Sequence, residues 1–365
     1  MRTTVFFAVL MLCALWTAAS VKWLEKAHDF GTIAEADGKT SCVMRLVNTA
    51  DTAILITSVR ATCGCTTVEY PRGPIWGGDT AAIRITYNPA GLPGEFDRDV
   101  AVRLSSEPER VLLNITGKVV ASESTVSRLY PLMAGQLGLK TSVLAFGKRK
   151  KGTQKTVYLH GYNAGPVPVV VGIDDVAAPL EVTALSDTVP AGSTCTIAVT
   201  IDTDKCRDSW GPTEYSFRVL AQPAVRGEGA LAGVARVTAV VNLEDDFSTL
   251  TPKELAAAPI VALSYDKIDF GPLGSTAESR KLTIYNKGKS TLVIHRIASD
   301  TPQSVSSAPS TMQIAPGSSA AVTITATLPV DDGKESGDYL NARLTIYCND
   351  PQNPTPSCRL VGTKK

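Results

Sequence analysis

The sequence predicts an all-β chain of three tandem β-sandwiches of the immunoglobulin type. Three observations predict it. Val, Ile and Thr dominate the apolar runs, and 28 Gly and 22 Pro punctuate them, a composition that favours strands and turns over helices. Apolar residues alternate within short runs, as in Cys42, Met44, Leu46 and in Val100, Val102, Leu104, so residues two apart share one face. Five features then recur in the same order three times, the mark of a repeated structural unit.

The chain opens on Arg2, an apolar run from Val5 to Leu15, and the small residues Thr17-Ala18-Ala19-Ser20. These read as a secretory signal peptide over residues 1–20. The apolar run is shorter than the roughly 20 residues of a spanning helix. Cys13 follows Met11 and Leu12, where lipidation signals want small residues, so a lipoprotein is not expected. The expected product is exported to the periplasm or cell envelope of a Gram-negative bacterium, an oxidising space, with no membrane span after signal removal.

The repeat begins with a Phe-Gly near the start of a strand: Phe30-Gly31, Phe146-Gly147 and Phe270-Gly271. An Asn turn follows at Asn48-Thr49, Asn163-Ala164-Gly165 and Asn286-Lys287-Gly288. An apolar strand comes next, at Ile54-Leu55-Ile56, Val167 to Val170 and Leu292-Val293-Ile294. A Gly turn leads into alternation: Gly77-Gly78 before Ile83, Ile85 and Tyr87; Gly192 before Ile197 and Val199; Gly317 before Val322 and Ile324. A last hairpin follows at Gly94-Glu95-Phe96, Gly211 to Tyr215 and Gly337-Asp338-Tyr339. Short alternating strands with turns at this pitch suggest a two-sheet sandwich of about one immunoglobulin domain per repeat. The expected units are residues 21–121, 137–243 and 260–365.

Two linkers separate them. Residues 122–136 are Ser-rich and then carry Leu129-Tyr130-Pro131-Leu132, apolar residues expected to pack on a neighbouring unit. Residues 244–259 contain Thr251-Pro252-Lys253-Glu254-Leu255, a helix cap followed by Pro at the first helical position, which predicts a short helix. Linkers this apolar predict a semi-rigid rod.

The pattern Asp29-Phe30-Gly31, Asn48-Thr49, Cys63-Gly64-Cys65-Thr66 and a turn Gly before alternating strands resembles the bacterial family called domain of unknown function 1573, over His28 to Val120. That family is similar to the sandwich domains of major sperm protein, Hydin-like ciliary proteins and PapD-type chaperones. The second and third units, and the Leu129–Leu132 and Asp246–Thr251 segments, resemble the same kind of multi-domain protein. The resemblance implies the fold and leaves activity open. In the third unit Ser299-Asp300-Thr301-Pro302 stands where a Cys-Gly-Cys would be.

Cys63-Gly64-Cys65 is the sharpest chemical candidate. Three readings stand: a thiol-redox pair, since a disulfide across one residue closes a tight ring and is easily reduced; a soft-metal site, with Cys42 or Met44 helping; and a structural element half buried at a strand end, with one sulfur bridged to Cys42. Tyr70 and Trp76, beside Pro71-Arg72-Gly73-Pro74-Ile75, are aromatics that recognition surfaces favour; Trp76 is alternatively a core plug beneath its turn. After signal removal seven cysteines remain, an odd number. Cys195 with Cys206, and Cys348 with Cys358, are candidate hairpin disulfides, worth about 2–4 kcal/mol each if unstrained; the alternative for each pair is metal, with nothing nearby to complete it.

Other chemistry is sparse. The three histidines, His28, His160 and His295, occupy unrelated places in the repeat, so no unit collects two for a catalytic triad. No Gly-x-Ser-x-Gly, phosphate-binding, His-Glu-x-x-His or dinucleotide motif occurs. The near balance of 36 basic and 35 acidic residues gives no nucleic-acid footprint. Lys148-Arg149-Lys150-Lys151 reads as a solvated hairpin turn, or as a site for anionic lipid or polysaccharide. Asp51-Thr52-Ala53, Asp79-Thr80-Ala81 and Asp187-Thr188-Val189 match a short O-glycan acceptor pattern at expected turns.

The functional expectation is a non-catalytic binding or scaffolding protein of the cell envelope, without cofactor, whose partner is an envelope protein or polymer. The alternative is a periplasmic thiol-redox or soft-metal protein using Cys63 and Cys65. A chaperone-like role is suggested only by the PapD resemblance.

Overall fold

A computed structural model describes residues 21–206, 209–225, 230–328 and 339–364. The signal segment with Cys13, and Gly337-Asp338 of the last hairpin, lie outside the described residues. What is described is nearly all β.

The first unit holds β1 (Val21–Trp23), β2 (Ala27–Ala34), β3 (Thr40–Asn48), β4 (Ile56–Ala61), β5 (Thr66–Glu69), β6 (Thr80–Tyr87), β7 (Gly94–Leu104) and β8 (Val111–Val120). They form two sheets, β1-β3-β6-β5 and β2-β8-β7-β4. The second unit holds β9 (Leu132–Ala134), β10 (Leu137–Leu139), β11 (Val143–Lys150), β12 (Gln154–Asn163), β13 (Val169–Asp174), β14 (Leu180–Ala184), β15 (Thr188–Val189), β16 (Thr194–Asp202), β17 (Gly211–Pro223) and β18 (Gly233–Glu244). Its sheets are β14-β16-β12-β10-β9 and β11-β18-β17-β13-β15. The third holds β19 (Val261–Leu263), β20 (Lys267–Leu273), β21 (Glu278–Asn286), β22 (Leu292–Ser299), β23 (Val305–Pro309), β24 (Gln313–Ile314), β25 (Ser319–Ala326), β26 (Tyr339–Cys348) and β27 (Ser357–Lys364). Its sheets are β19-β21-β25-β23 and β20-β27-β26-β22-β24. Each pair of sheets closes on its own core, and the alternating residues named from sequence face into it: Cys42, Met44 and Leu46; Val100, Val102 and Leu104; Leu282 and Ile284.

Two devices recur in every unit. The first strand pairs in parallel with the last, β2 on β8, β11 on β18 and β20 on β27, and each pairing slips at the Phe-Gly. Gly31, Gly147 and Gly271 take φ of 63°, 69° and 69° there, a conformation a bulge reaches most cheaply with glycine. Asp29 and Asp269 accept from the Gly31 and Gly271 amides at 2.8 Å.

The second device is the Asn of the turn, which is buried. Asn48 donates through Nδ2 to the carbonyls of Thr52 (2.8 Å) and Ile75 (2.9 Å). Asn163 does so to Val167 and Val189, and Asn286 to Ser290 and Ile314, at the same distances. Each Oδ1 accepts a backbone N–H two residues on, at 3.0 Å. One buried amide thus ties three backbone groups across the turn and satisfies its own donors and acceptor in doing so.

The connections are structured. Residues 122–136 are part helix and part sheet: α1 (Glu123–Leu129) is capped by Ser122, and β9 follows. Tyr130 is buried and stacks on Tyr162 at 5.5 Å. Glu35 of the first unit accepts from the Gly91 and Ser122 amides and the Ser122 and Thr125 hydroxyls, at 2.7–3.0 Å. Burial pushes its pKa up, but these bonds outweigh that and hold it below the usual carboxylate value. Thr251 caps α2 (Pro252–Ala257) in a reciprocal box with Glu254.

The basic run departs from the expected hairpin turn. Lys148, Arg149 and Lys150 end β11, and only Lys151 enters the turn. Lys148 pairs with Glu244 and Lys150 with Asp246, both at 2.8 Å. The run therefore neutralises acidic residues where the chain leaves the second unit.

Candidate functional site

The Cys63-Gly64-Cys65 turn crosses from β4, the edge of one sheet, to β5, the edge of the other. Backbone bonds pin it to both: the Thr62 amide donates to Asp99 O at 3.0 Å, and the Asn88 amide to Cys65 O at 2.8 Å. Cys63 and Cys65 are joined by a disulfide, with Cα atoms 5.3 Å apart. Both are half-buried, and Gly64 between them is exposed with open space on its Cβ side. The Thr66 hydroxyl lies 3.4 Å from Cys63 Sγ and 3.9 Å from Cys65 Sγ; Thr66 itself is 6% exposed. Of the readings open from sequence, the geometry takes neither a bridge to Cys42 nor a thiolate pair free to hold a metal. As a staple the bridge does little. Closing a loop across one residue removes about 1.5 kcal/mol of unfolded-chain entropy at most.

Tyr70 and Trp76 do not converge on this turn. Tyr70 sits just past β5, with the Arg72 guanidinium 4.1 Å from its ring centroid and Arg72 Nη1 donating to its hydroxyl at 2.6 Å. Trp76 lies before β6, at the end opposite Tyr87 and the cysteines, on the order of 20 Å away along the strand. It is 62% exposed, which excludes the core-plug reading. The inward place is taken by Ile75, buried and bridged to Ile54.

The two expected hairpin disulfides are absent, and strand geometry says why. Cys195 is the second residue of β16, while Cys206 follows a short 3-10 turn after its end, roughly 20 Å along the strand. Cys358 sits opposite Leu344, four residues from Cys348, so about 13 Å separates them along the hairpin. A bridge needs Cα atoms within about 7 Å. Cys42, Cys195, Cys206, Cys348 and Cys358 are buried free thiols. Burial pushes Cys348 up to about 12 and Cys42, Cys195 and Cys358 up to about 11; Cys206 is raised for the same reason. They behave as small apolar residues.

Sequence reasoning missed a constellation between the second and third units. His295 Nε2 lies 2.9 Å from Asp245 Oδ2, and its ring stacks on Trp210 at 3.9 Å. Lys151 Nζ stands 5.1 Å from the Trp210 ring, and Arg296 Nη1 donates to Trp210 O and Pro212 O. A cleft of about 470 Å³ opens beside it, lined by Phe247, Leu250, Ala257, Pro259 and Pro351 with Asp245 and His295. Asp245, His295, Arg296 and Lys151 are each spent on a neighbour, so the cluster acts as a joint. His28 meets Phe30 edge-on at 4.6 Å, and His160 Nδ1 pairs with the Thr196 hydroxyl at 3.2 Å. Thr52 lies in an exposed turn, whereas Thr80 and Thr188 begin strands rather than turns.

Residues 21–119 match the family described as protein of unknown function (DUF1573), and residues 259–362 match the HYDIN/CFA65/VesB-like Ig-like domain. The resemblance carried by Asp29-Phe30-Gly31, Asn48-Thr49 and Cys63-Gly64-Cys65-Thr66 is borne out by the first match. Over 162 residues the chain is 29% identical to a protein of Sphingopyxis alaskensis named D-alanine–D-alanine ligase, covering 41% of this chain and 51% of that one. The chain thus spans about half the length of that relative. A crystal structure of a protein of unknown function from Porphyromonas gingivalis W83 is similar to 63% of this chain and all of its own, with 19% identity and a TM-score of 0.48. The periplasmic chaperone SfaE is similar over 63% of this chain and all of its own, with 14% identity and a TM-score of 0.26.

Proposed function

We propose that this chain is an exported binding or scaffolding protein of the bacterial cell envelope, and that it takes up a partner protein or polymer along its sheet edges. One observation carries the reading. The strand reached by the crossover in each unit, β5, β14 and β23, is an edge with one neighbour. Such an edge offers a row of backbone donors and acceptors to an added strand. The same edge is open three times, on units whose junctions are held by Glu35 and by the Trp210–His295 stack. That arrangement suits display of repeated binding edges. The ligase chemistry in the name of the relative that is matched over half its length stays with that protein.

Site-specific photo-crosslinking in the native host tests the reading. A photoreactive residue replaces Thr67 on β5, Glu181 on β14 or Ser306 on β23, all exposed, with Asp51 in an exposed turn as the control. Discrete adducts with an envelope component at one or more edges, and none at Asp51, are expected. Equal labelling at all four positions, or adducts only with cytoplasmic proteins, sinks the proposal.

A further inference from the structure

The binding reading leaves the Cys63–Cys65 bridge unused. The fold does not need it. The same crossover in the second unit is held by Arg218 bonded to Asp174 and by Arg236 bonded to Asp175. In the third it is held by Asp300, which exchanges bonds with the Arg343 backbone. The first unit also has its backbone bonds to Asp99 and Cys65. Three further features converge there. Both cysteines are half-buried and the Cβ side of Gly64 between them is open, which leaves room for an outside thiol to approach. The hydroxyl of buried Thr66 lies against both sulfurs, and closer to Cys63. The five other described thiols are buried in their cores, so none can intercept the bridge.

We propose that Cys63–Cys65 is a thiol–disulfide exchange site whose substrate is an exported protein dithiol. A thiolate of the substrate attacks Cys65 Sγ. A mixed disulfide forms between substrate and Cys65, the Cys63–Cys65 bond breaks, and its electron pair leaves on Cys63 Sγ. The Thr66 hydroxyl, 3.4 Å from that sulfur, donates to the new thiolate and stabilises it as leaving group. The second substrate thiolate then attacks its own sulfur in the mixed disulfide and releases Cys65 as thiolate. The substrate gains a disulfide and loses two electrons, and the Cys63/Cys65 pair gains both. The reverse sequence reduces a substrate disulfide.

The test uses the full exported chain, with dithiothreitol and oxidised glutathione as probes and alkylation mass spectrometry as readout. In the native fold, the bridge is expected to open in mild dithiothreitol while circular dichroism stays unchanged. In Cys63→Ser, Cys65 is expected to attack oxidised glutathione, release one reduced glutathione and keep the other half as a stable mixed disulfide. Thr66→Val is expected to slow opening about threefold or more, as a poorer leaving thiolate requires, and Thr66→Ser to restore it. If Thr66→Val loosens the turn, opening accelerates instead and the role of the hydroxyl is overturned. A bridge that opens only as the fold is lost, or a Cys63→Ser chain that takes up no glutathione, overturns the site.

Discussion

The first and third units solve the same crossover with different chemistry. Between β4 and β5 the chain closes on a covalent bridge across one glycine. Between β22 and β23 it closes on Ser299, Asp300 and Thr301: the Thr301 amide donates to Ser299 Oγ at 3.1 Å, and Asp300 Oδ1 accepts from the Arg343 amide at 2.8 Å. Around the two crossovers the frame is unchanged, with the same buried Asn, the same Phe-Gly slip and the same edge strand beyond. The difference teaches that the frame sets the crossover and the residues in it are free to vary. A group that the frame does not require is available for other work.

The largest expected effect comes from the shared frame. Replacing Asn48, Asn163 or Asn286 by Ala removes two bonds to backbone carbonyls, one of them buried, and the acceptor of a backbone N–H in each case. A loss of about 2–4 kcal/mol is expected at each of the three positions, read by urea unfolding of the full chain with one probe per unit. A first unit that tolerates Asn48→Ala while the third does not tolerate Asn286→Ala would break the comparison, since the bridge would then be carrying the crossover.

Next come the crossovers themselves. The double replacement Cys63→Ser with Cys65→Ser is expected to cost about 1.5 kcal/mol or less. Asp300→Ala is expected to cost about 0.5–1 kcal/mol through the lost bond to the Arg343 amide. Similar small losses, measured by thermal unfolding of the full chain, sharpen the statement that neither closure is required. A loss above about 3 kcal/mol for the cysteine pair would return the bridge to a structural role.

Much of this frame was legible in sequence and its chemistry was not. Alternation in Met44, Leu46 and in Leu282, Ile284 marks inward faces, because period two is a property of any half-buried strand. Thr251-Pro252 marks the start of α2 because cap and ring act locally. The disulfide expectations failed where a local signal was passed over. Cys195 precedes Ile197, Val199 and Ile201, and Cys348 follows Leu340, Ala342, Leu344 and Ile346. Each cysteine simply continues an apolar stripe, as a buried thiol does. Asn48 reads as a turn residue, and that turn polarity hides its burial. The Trp210, His295 and Asp245 cluster joins residues far apart in the chain, so no spacing rule reaches it.

The exits of the first two units offer a smaller contrast. Glu35 is held by neutral amide and hydroxyl donors, whereas the second unit's exit adds the exposed pairs Lys148–Glu244 and Lys150–Asp246 to its Trp210–His295 stack. Lys150, the leading cause, and Ser248 hold Asp246 well below the usual carboxylate value. Salt is expected to weaken the ion-pair share of the second exit and leave the first unchanged, because exposed ion pairs are screened. For Glu35 the folded pKa lies below the ordinary 4.5. Its contribution is therefore complete above about pH 4.5 and lost as pH falls through the folded value. At a part-exposed carboxylate this amounts to less than about 1 kcal/mol. Glu35→Gln is expected to flatten that acid dependence, followed by hydrogen exchange in α1.

The smallest stability effect is expected at Trp76, and it sharpens the contrast between units most directly. Ile75, Val189 and Ile314 occupy one place, each backbone carbonyl accepting from the buried Asn. The next residue is Trp76 in the first unit, Pro190 in the second and Ala315 in the third. An indole 62% exposed adds little to folding, so Trp76→Ala is expected to change stability by less than about 0.5 kcal/mol. A large exposed aromatic that the fold does not use is the kind of anchor binding sites favour. Crosslinking through β5 is therefore expected to weaken in Trp76→Ala if the first unit is the recognition unit. Unchanged crosslinking at Thr67 would confine recognition to the strand edge, and a stability loss above 1 kcal/mol would mean that the indole packs and does not await a partner.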